Sequence, residues 1–171
     1  TLLLIHNKSH QEVFHQEYFH TLPYLDYCLQ VEVLDFSRPF EVFSVANRLA
    51  KLGWNIWLVA EEESLVEARE VFQVKPHYSI QNVPELDVLI VVGGVHSDEL
   101  RKTEVINWIR KTTEKTQITA SVCTGAFLLA EAGLLDGLEV TTHWEDIPDL
   151  QRNYPNLQVR KGTRWIEQGK L

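Results

Sequence analysis

The chain has no methionine and begins with threonine, so editing or truncation of a translated reading frame is expected. It has two cysteines, Cys28 and Cys123, far apart and without the close spacing of metal ligands. That excludes a disulfide framework and points to a reducing compartment, with the cytoplasm as the expected location. Basic residues are also scarce: 16 Lys and Arg stand against 24 Asp and Glu, giving a formal charge of −8 at pH 7 and a pI near 5.3. A phosphate backbone meets net repulsion from such a chain, so no nucleic acid is expected to bind this segment. No apolar run reaches the roughly 20 residues that a membrane-spanning helix needs, and residues 1–5 are too few for a signal-peptide core. Repeats, linkers and low-complexity stretches are missing as well. What remains is 171 residues, 44% of them hydrophobic, enough for one domain with a full-sized core.

From about residue 30 onward, strand and helix patterns alternate, the signature of an α/β sandwich around a mainly parallel sheet. Residues 37–52 read as a helix with Ser37 as N-cap, Pro39 in the first turn and a stop at Gly53. Residues 54–60 read as a strand, 65–80 as a short hairpin broken near Pro76, and 88–92 as an apolar strand ending on Gly93-Gly94. Residues 98–113 carry Leu100, Val105 and Ile109 at helical spacing. Further on, Gly133 and Gly137 mark turns, 139–142 a strand, 147–153 a short helix and 157–166 two short strands.

Between these lies the most specific local signal, Gln117-Ile-Thr-Ala-Ser-Val-Cys-Thr-Gly-Ala-Phe-Leu-Leu-Ala130. A β-branched strand runs into Cys123 and then, without a loop, into an apolar helix. Ser121 and Gly125 supply the small residues two before and two after the nucleophile that a sharp strand-to-helix elbow requires. A sulfur at the first turn of a helix faces unpaired N–H groups and the positive dipole end, which favour thiolate over thiol. A cysteine after a strand is also often a plain core hydrophobe. Gly93 and Gly94 end a strand where bare backbone can approach a ligand, so the Gly94 N–H is a second oxyanion candidate beside that of Thr124; a tight turn is the alternative.

Four ordered motifs, Val33-Leu-Asp-Phe-Ser-Arg-Pro-Phe-Glu-Val-Phe43, Asp87-Val-Leu-Ile-Val-Val-Gly-Gly94, Ser121-Val-Cys-Thr-Gly-Ala126 and Ala132-Gly-Leu-Leu-Asp-Gly137 followed by Thr141-Thr-His-Trp144, together resemble the ThiJ/PfpI superfamily. Within it they are most similar to the isonitrile hydratase branch and to the amidotransferase-like domains of AraC-type regulators. The resemblance implies a flavodoxin-like three-layer sandwich over residues 31–171, commonly a homodimer, with the cysteine at the carboxyl ends of the strands. Open α/β sheets place ligands in that crevice on general grounds too. Residues 1–30 are expected to be a divergent segment, since the family's first strand should lie just before Val31. His6, His10, His15 and His20 crowd that stretch; His6 and His10 could share a helix face, but no fixed partner accompanies them, so no metal is expected. At the other end, Arg164-Trp-Ile-Glu-Gln-Gly-Lys-Leu171 stops where relatives continue into a long helix. A missing helix, a swapped element or an oligomer is the expectation there.

The resemblance also implies roles. Asp35 matches the acid that approaches the cysteine and could hold a proton or stabilise a thiolate; otherwise it is a helix N-terminal acid worth a few tenths of a kcal/mol, roughly. Glu41 matches a position inside the first helix and reads equally as a partly buried structural acid. Thr124 would give its backbone N–H to an oxyanion and its hydroxyl to substrate. His143 matches a histidine near the sulfur, as proton carrier or loop anchor. Arg38 departs from the family's usual glycine, either narrowing the pocket for a polar substrate or remodelling the turn.

Two function classes follow, neither needing a cofactor. One is a hydratase in which Cys123 attacks a small electrophile such as an isonitrile, with Asp35 supplying the proton; a deglycase-like reaction uses a similar thiol and acid. The other is a small-molecule or redox-sensing domain related to AraC-type regulators. Glutamine hydrolysis is disfavoured, because the distal His-x-Glu pair of true amidotransferases has no counterpart here.

Overall fold

The computed structural model describes residues 31–68, 72–94 and 97–171, together with the backbone of residues 2–7. In chain order the strands are β1 (Leu2–Asn7), β2 (Trp54–Ala60), β3 (Val66–Glu67), β4 (Gln73–Val74), β5 (Tyr78–Ser79), β6 (Val88–Val91), β7 (Ile118–Ser121), β8 (Glu139–Val140) and β9 (Gln158–Val159). The helices are α1 (Val33–Ala50), α2 (Thr103–Lys115), α3 (Gly125–Glu131) and α4 (Ile147–Asn153), with one 3-10 turn at Glu99–Arg101. The main sheet has the order β5-β2-β1-β6-β7. β2 pairs in parallel with β5, and β6 with β7.

β1 is the exception, antiparallel to both neighbours, with Ile5 opposite Ile56 on one side and Val88 on the other. The run Leu2-Leu-Leu-Ile5 is apolar throughout, which suits a central strand covered on both faces. Leu2–Asn7 is therefore part of the sheet, and His6 lies on a strand opposite Asn55 instead of on a helix face. His10, His15, His20 and Cys28 fall outside the described residues.

Alternation along β2 and β6 builds the two cores. Val59, Leu89 and Val91 face the layer of α2 and α3, where they meet Ile109 and Phe127. Ile56, Leu58, Ile90 and Val92 face the opposite layer, where Phe36 of α1 and Val66 of β3 pack. α2 turns Val105, Ile106, Ile109 and Thr113 inward, a single helical stripe. Fully burying a side chain such as Phe127 contributes about 1.5–3 kcal/mol.

α1 begins at Val33, four residues before the expected Ser37 cap, and Pro39 lies inside it. Two contacts set this start. Val31 bridges to both Ala68 and Gly94, and Phe36 is drawn into the core. The Asp35 N–H donates to the Glu32 carbonyl at 2.9 Å, closing the first turn. Pro39, lacking an N–H, leaves the Asp35 carbonyl without its helical donor, a cost confined to one turn. At the far end Lys51 caps the helix at φ 51°. Asn47 then clamps β2, its Nδ2 donating to the Trp54 carbonyl at 2.8 Å and its Oδ1 accepting the Trp54 N–H at 3.0 Å.

The expected hairpin at 65–80 resolves into the antiparallel pair β3–β4 plus β5, which joins the main sheet instead. Residues 157–166 give one strand, β9, rather than two, and it pairs in parallel with β8. The last residues return to the sheet: the Thr119 N–H donates to the Lys170 carbonyl at 2.8 Å, and the Lys170 ammonium donates to the Thr113 carbonyl.

α3 meets β6 at a glycine. A Cβ on Gly125 would collide with the Val91 carbonyl, its carbon lying 2.8 Å away. Gly125→Ala is therefore expected to destabilise the fold by about 3 kcal/mol, read as a lowered urea midpoint at unchanged slope. An unshifted midpoint would mean that α3 can slide off β6 at little cost.

Candidate active site

β7 delivers the chain to the elbow, and β6 holds it there: the Val122 N–H donates to the Val91 carbonyl at 2.8 Å, and the Gly125 N–H turns back to the Val122 carbonyl at 3.0 Å. Between them Cys123 adopts φ 55°. A left-handed backbone at a residue with a Cβ costs about 1–3 kcal/mol and persists only where the surroundings hold it. Two side chains do so. The Thr142 hydroxyl donates to the Cys123 carbonyl at 2.8 Å. Thr124 Oγ1 donates to the Gly94 carbonyl at 2.8 Å and accepts the Gly94 N–H at 2.9 Å.

That staple revises two expectations. The Gly94 N–H, expected to face an oxyanion, is already donated to Thr124 Oγ1. The Thr124 hydroxyl, expected to touch substrate, is buried and tied to the Gly94 backbone on both its donor and acceptor sides. The Thr124 backbone N–H is directed at the Cys123 sulfur. Gly93 has a different reason to be bare: a Cβ there would stand 2.7 Å from Asp35 Oδ2 and 2.8 Å from the Thr124 nitrogen. Its missing side chain is what lets the Asp35 carboxyl reach the elbow.

The Asp35 carboxyl hydrogen-bonds the Cys123 thiol, and its Oδ2 is buried without a hydrogen-bond partner. Burial pushes the carboxyl above the usual range and Glu32 adds to this, while the thiol contact and the charges of His143 and Arg38 pull the other way. The thiol is pushed up to about 12, first by burial, then by the negative charge of Asp35 and the hydrogen bond to it, with Asp146 adding and the Thr124 N–H opposing. The helix terminus therefore does not hold this thiol below its ordinary range. α3 is only seven residues long and gives the sulfur one N–H, too little to offset burial beside a carboxylate. Asp35 is placed beside the thiol to take its proton when sulfur attacks.

On its other side Cys123 opens on a cavity of about 500 Å³ that His143 also lines, together with Leu129, Leu138, Val140 and Ile166. His143 Nδ1 lies 3.2 Å from Asp146 Oδ2. Asp35, Thr124, Gly93 and Gly94 do not line this cavity, so the sulfur stands between an acid side and an open side. Arg38 is exposed on α1 and does not line this cavity; it reaches Asp35 through its charge. Glu41 is exposed, not partly buried. Sequence reasoning missed Thr142 and Asp146. The three-residue step from His143 to Asp146, just before α4, was the available signal for the second. Among the described residues no group of three or more His, Cys, Asp or Glu could hold a metal ion, and no helix is long and apolar enough to cross a membrane.

With a strained cysteine elbow closing a mainly parallel sheet, the chain belongs to the DJ-1/PfpI family, which it matches over residues 30–169. It is 33% identical over 116 residues to the isonitrile hydratase of Pseudomonas putida, covering 67% of this chain and 49% of that protein. It is 31% identical over 127 residues to the HTH-type transcriptional regulator CdhR of Pseudomonas aeruginosa, covering 74% of this chain and 38% of that protein. A ThiJ/PfpI family protein from Pseudomonas syringae shares the fold with a TM-score of 0.71 at 22% identity, over 90% of this chain and 61% of that one. The chain spans less than half the length of the two curated relatives.

The proton pair gives a signed prediction. Removing the Asp35 charge lowers the thiol pKa, so Asp35→Asn is expected to speed alkylation of Cys123 by iodoacetamide at pH 8. In the unsubstituted protein the rate should keep rising to pH 10 without a plateau. Because the folded pKa of Asp35 is raised, its contribution to stability is present at low pH and lost as pH rises through that value, so Asp35→Asn should melt higher at neutral pH. A plateau near pH 7 in the unsubstituted protein would show a standing thiolate.

Proposed function

We propose that this domain is a cysteine-dependent hydratase acting on a small electrophile such as an isonitrile, to give an N-substituted formamide. The observation that carries the reading is the Asp35 carboxyl against the Cys123 thiol, at a left-handed corner beside a cavity. Sulfur bonds to the terminal carbon of the isonitrile while the thiol proton passes through Asp35 to that carbon, giving a thioimidate. Water then adds to the carbon and the nitrogen gains a proton. Collapse breaks the carbon–sulfur bond, releases the formamide and returns a proton to the sulfur. Atoms and charges balance without a cofactor. The Thr124 N–H is the candidate donor to charge developing at the reacting centre. The largely apolar cavity wall suits a small hydrophobic substituent, and we assign the chain to the cytoplasm from its two-cysteine composition.

A second reading, a small-molecule or redox-sensing domain, is favoured by the likeness to CdhR; the resting thiol, a poor nucleophile at neutral pH, fits small-molecule binding and works against redox sensing. Purified protein incubated with an isonitrile separates the two. Turnover is expected to vanish in Cys123→Ala and to fall about 10²–10⁴-fold in Asp35→Asn, the range for losing a general acid or base. Binding without turnover would give the sensing reading precedence.

Both readings include a homodimer, which we place on α1. Leu34, Val42 and Leu49 are 54%, 65% and 71% exposed, and at 100° per residue they share a face with Arg38 and Glu41. An antiparallel second copy sets Leu34 against Leu49 of the partner subunit and brings Arg38 near Glu41 of the partner subunit, a self-complementary arrangement. Val42→Glu with Leu49→Glu is expected to shift the sedimentation coefficient from dimer to monomer while keeping the circular dichroism spectrum. A dimer that survives the double substitution rules this face out.

A further inference from the structure

We propose that Asp146 is a positioning residue that holds His143 in one tautomer, with Nε2 as the nitrogen left to serve the cavity beside Cys123. The inference rests on Cys123 being the nucleophile, and it concerns the step after attack.

Asp146 occupies the N-cap position of α4, where an aspartate ordinarily accepts an N–H from the first turn and stabilises the helix. Here it does not: its backbone is at φ −93°, ψ −3°, and its side chain makes no capping hydrogen bond. The carboxylate goes instead to His143 Nδ1, at 3.2 Å. Glu145 reaches the same nitrogen only at 4.0 Å and is the more exposed of the two acids. The backbone closes the same unit, since the Asp146 N–H donates to the His143 carbonyl at 2.9 Å and the Asp146 carbonyl accepts the N–H groups of Asp149 and Leu150. Ile147 and Leu150, both buried, hold α4 in place. The Thr142 hydroxyl, one residue before His143, is tied to the carbonyl of Cys123 itself. The segment that carries the imidazole is thus fixed to the elbow at one end and to a docked helix at the other.

An ionised carboxylate only accepts, so against Asp146 the Nδ1 of His143 carries the hydrogen, and when the ring is uncharged Nε2 is its base. Among the described residues, Asp146, Glu145 and the Trp144 indole face this ring, with Asp35 acting on it through charge. Asp35 then serves the thiol and His143 serves water. As the water oxygen bonds to the thioimidate carbon, its proton passes to Nε2 and on to the imidate nitrogen, and the ring returns to its starting state.

The test reads the ring directly and then the chemistry. In protein carrying ¹⁵N-histidine, the His143 resonances, identified by their loss in His143→Ala, are expected to show the Nδ1–H form, and Asp146→Ala is expected to move them to the Nε2–H form. With an isonitrile, Asp146→Ala and His143→Ala should lower kcat by about 10- to 100-fold, the scale of losing an orienting partner, and should accumulate an adduct on Cys123 seen by intact mass. Asp146→Asn, which keeps the shape, should show a smaller tautomer change. The inference is overturned if Asp146→Ala leaves the ring nitrogens unmoved, or if it forms the adduct faster and releases it normally, as expected of a mere negative charge near the thiol. Failure of the unsubstituted protein to form any adduct would sink the hydratase reading alone, and the ring resonances would still decide the role of Asp146.

Discussion

The arrangement at the site depends on how closely the first turn of α3 can lie on the end of β6. With no Cβ at Gly125, the helix backbone rests on the Val91 carbonyl, and the single residue joining Val122 to Thr124 must turn through the left-handed region to make the corner. Everything chemical follows from that geometry. The sulfur leaves the sheet at its carboxyl edge, the Thr124 N–H faces it, and the bare Gly93 leaves a slot that the Asp35 carboxyl fills. The strain in the corner is held by hydrogen bonds from two different directions, Thr142 on the carbonyl of Cys123 and Thr124 on Gly94.

Much of this was legible in the residues because it is local. β2 and α4 lie where apolar alternation and helical spacing put them, at Trp54–Ala60 and Ile147–Asn153. The elbow was readable because small residues two positions either side of a cysteine leave few other conformations. What escaped was set by tertiary contact. The early start of α1 depends on Val31 bridging to Gly94 and on Phe36 entering the core, neither of which a capping rule sees. The placement of Leu2–Asn7 between β2 and β6 depends on a slot in the sheet, and four apolar residues give no hint of direction. The uses of the Gly94 N–H and the Thr124 hydroxyl were misjudged because each was weighed as a separate donor, whereas they satisfy each other.

Electrostatics at the site turn on burial more than on the helix terminus. A short helix gives the sulfur one hydrogen bond, while desolvation and two carboxylates act against its ionisation. The same balance recurs elsewhere at the carboxyl edge of the sheet. Glu99, buried at the start of the 3-10 turn, is raised to about 7 by loss of solvent, and Lys102, which pairs with Glu61 and lies 3.3 Å from Glu99, is lowered to about 8. Both clusters lie at the same edge, where strand ends and loops bring polar groups out of water.

The Thr124–Gly94 staple also has a steric consequence. By tying the loop after β6 to the start of α3, it closes off that flank of the sulfur, while the acid flank is filled by Asp35. Among the described residues, the cavity is the open side of the sulfur. A carbon bound to that sulfur would lie on the cavity side, so the backbone sets where an adduct sits before a substrate is present.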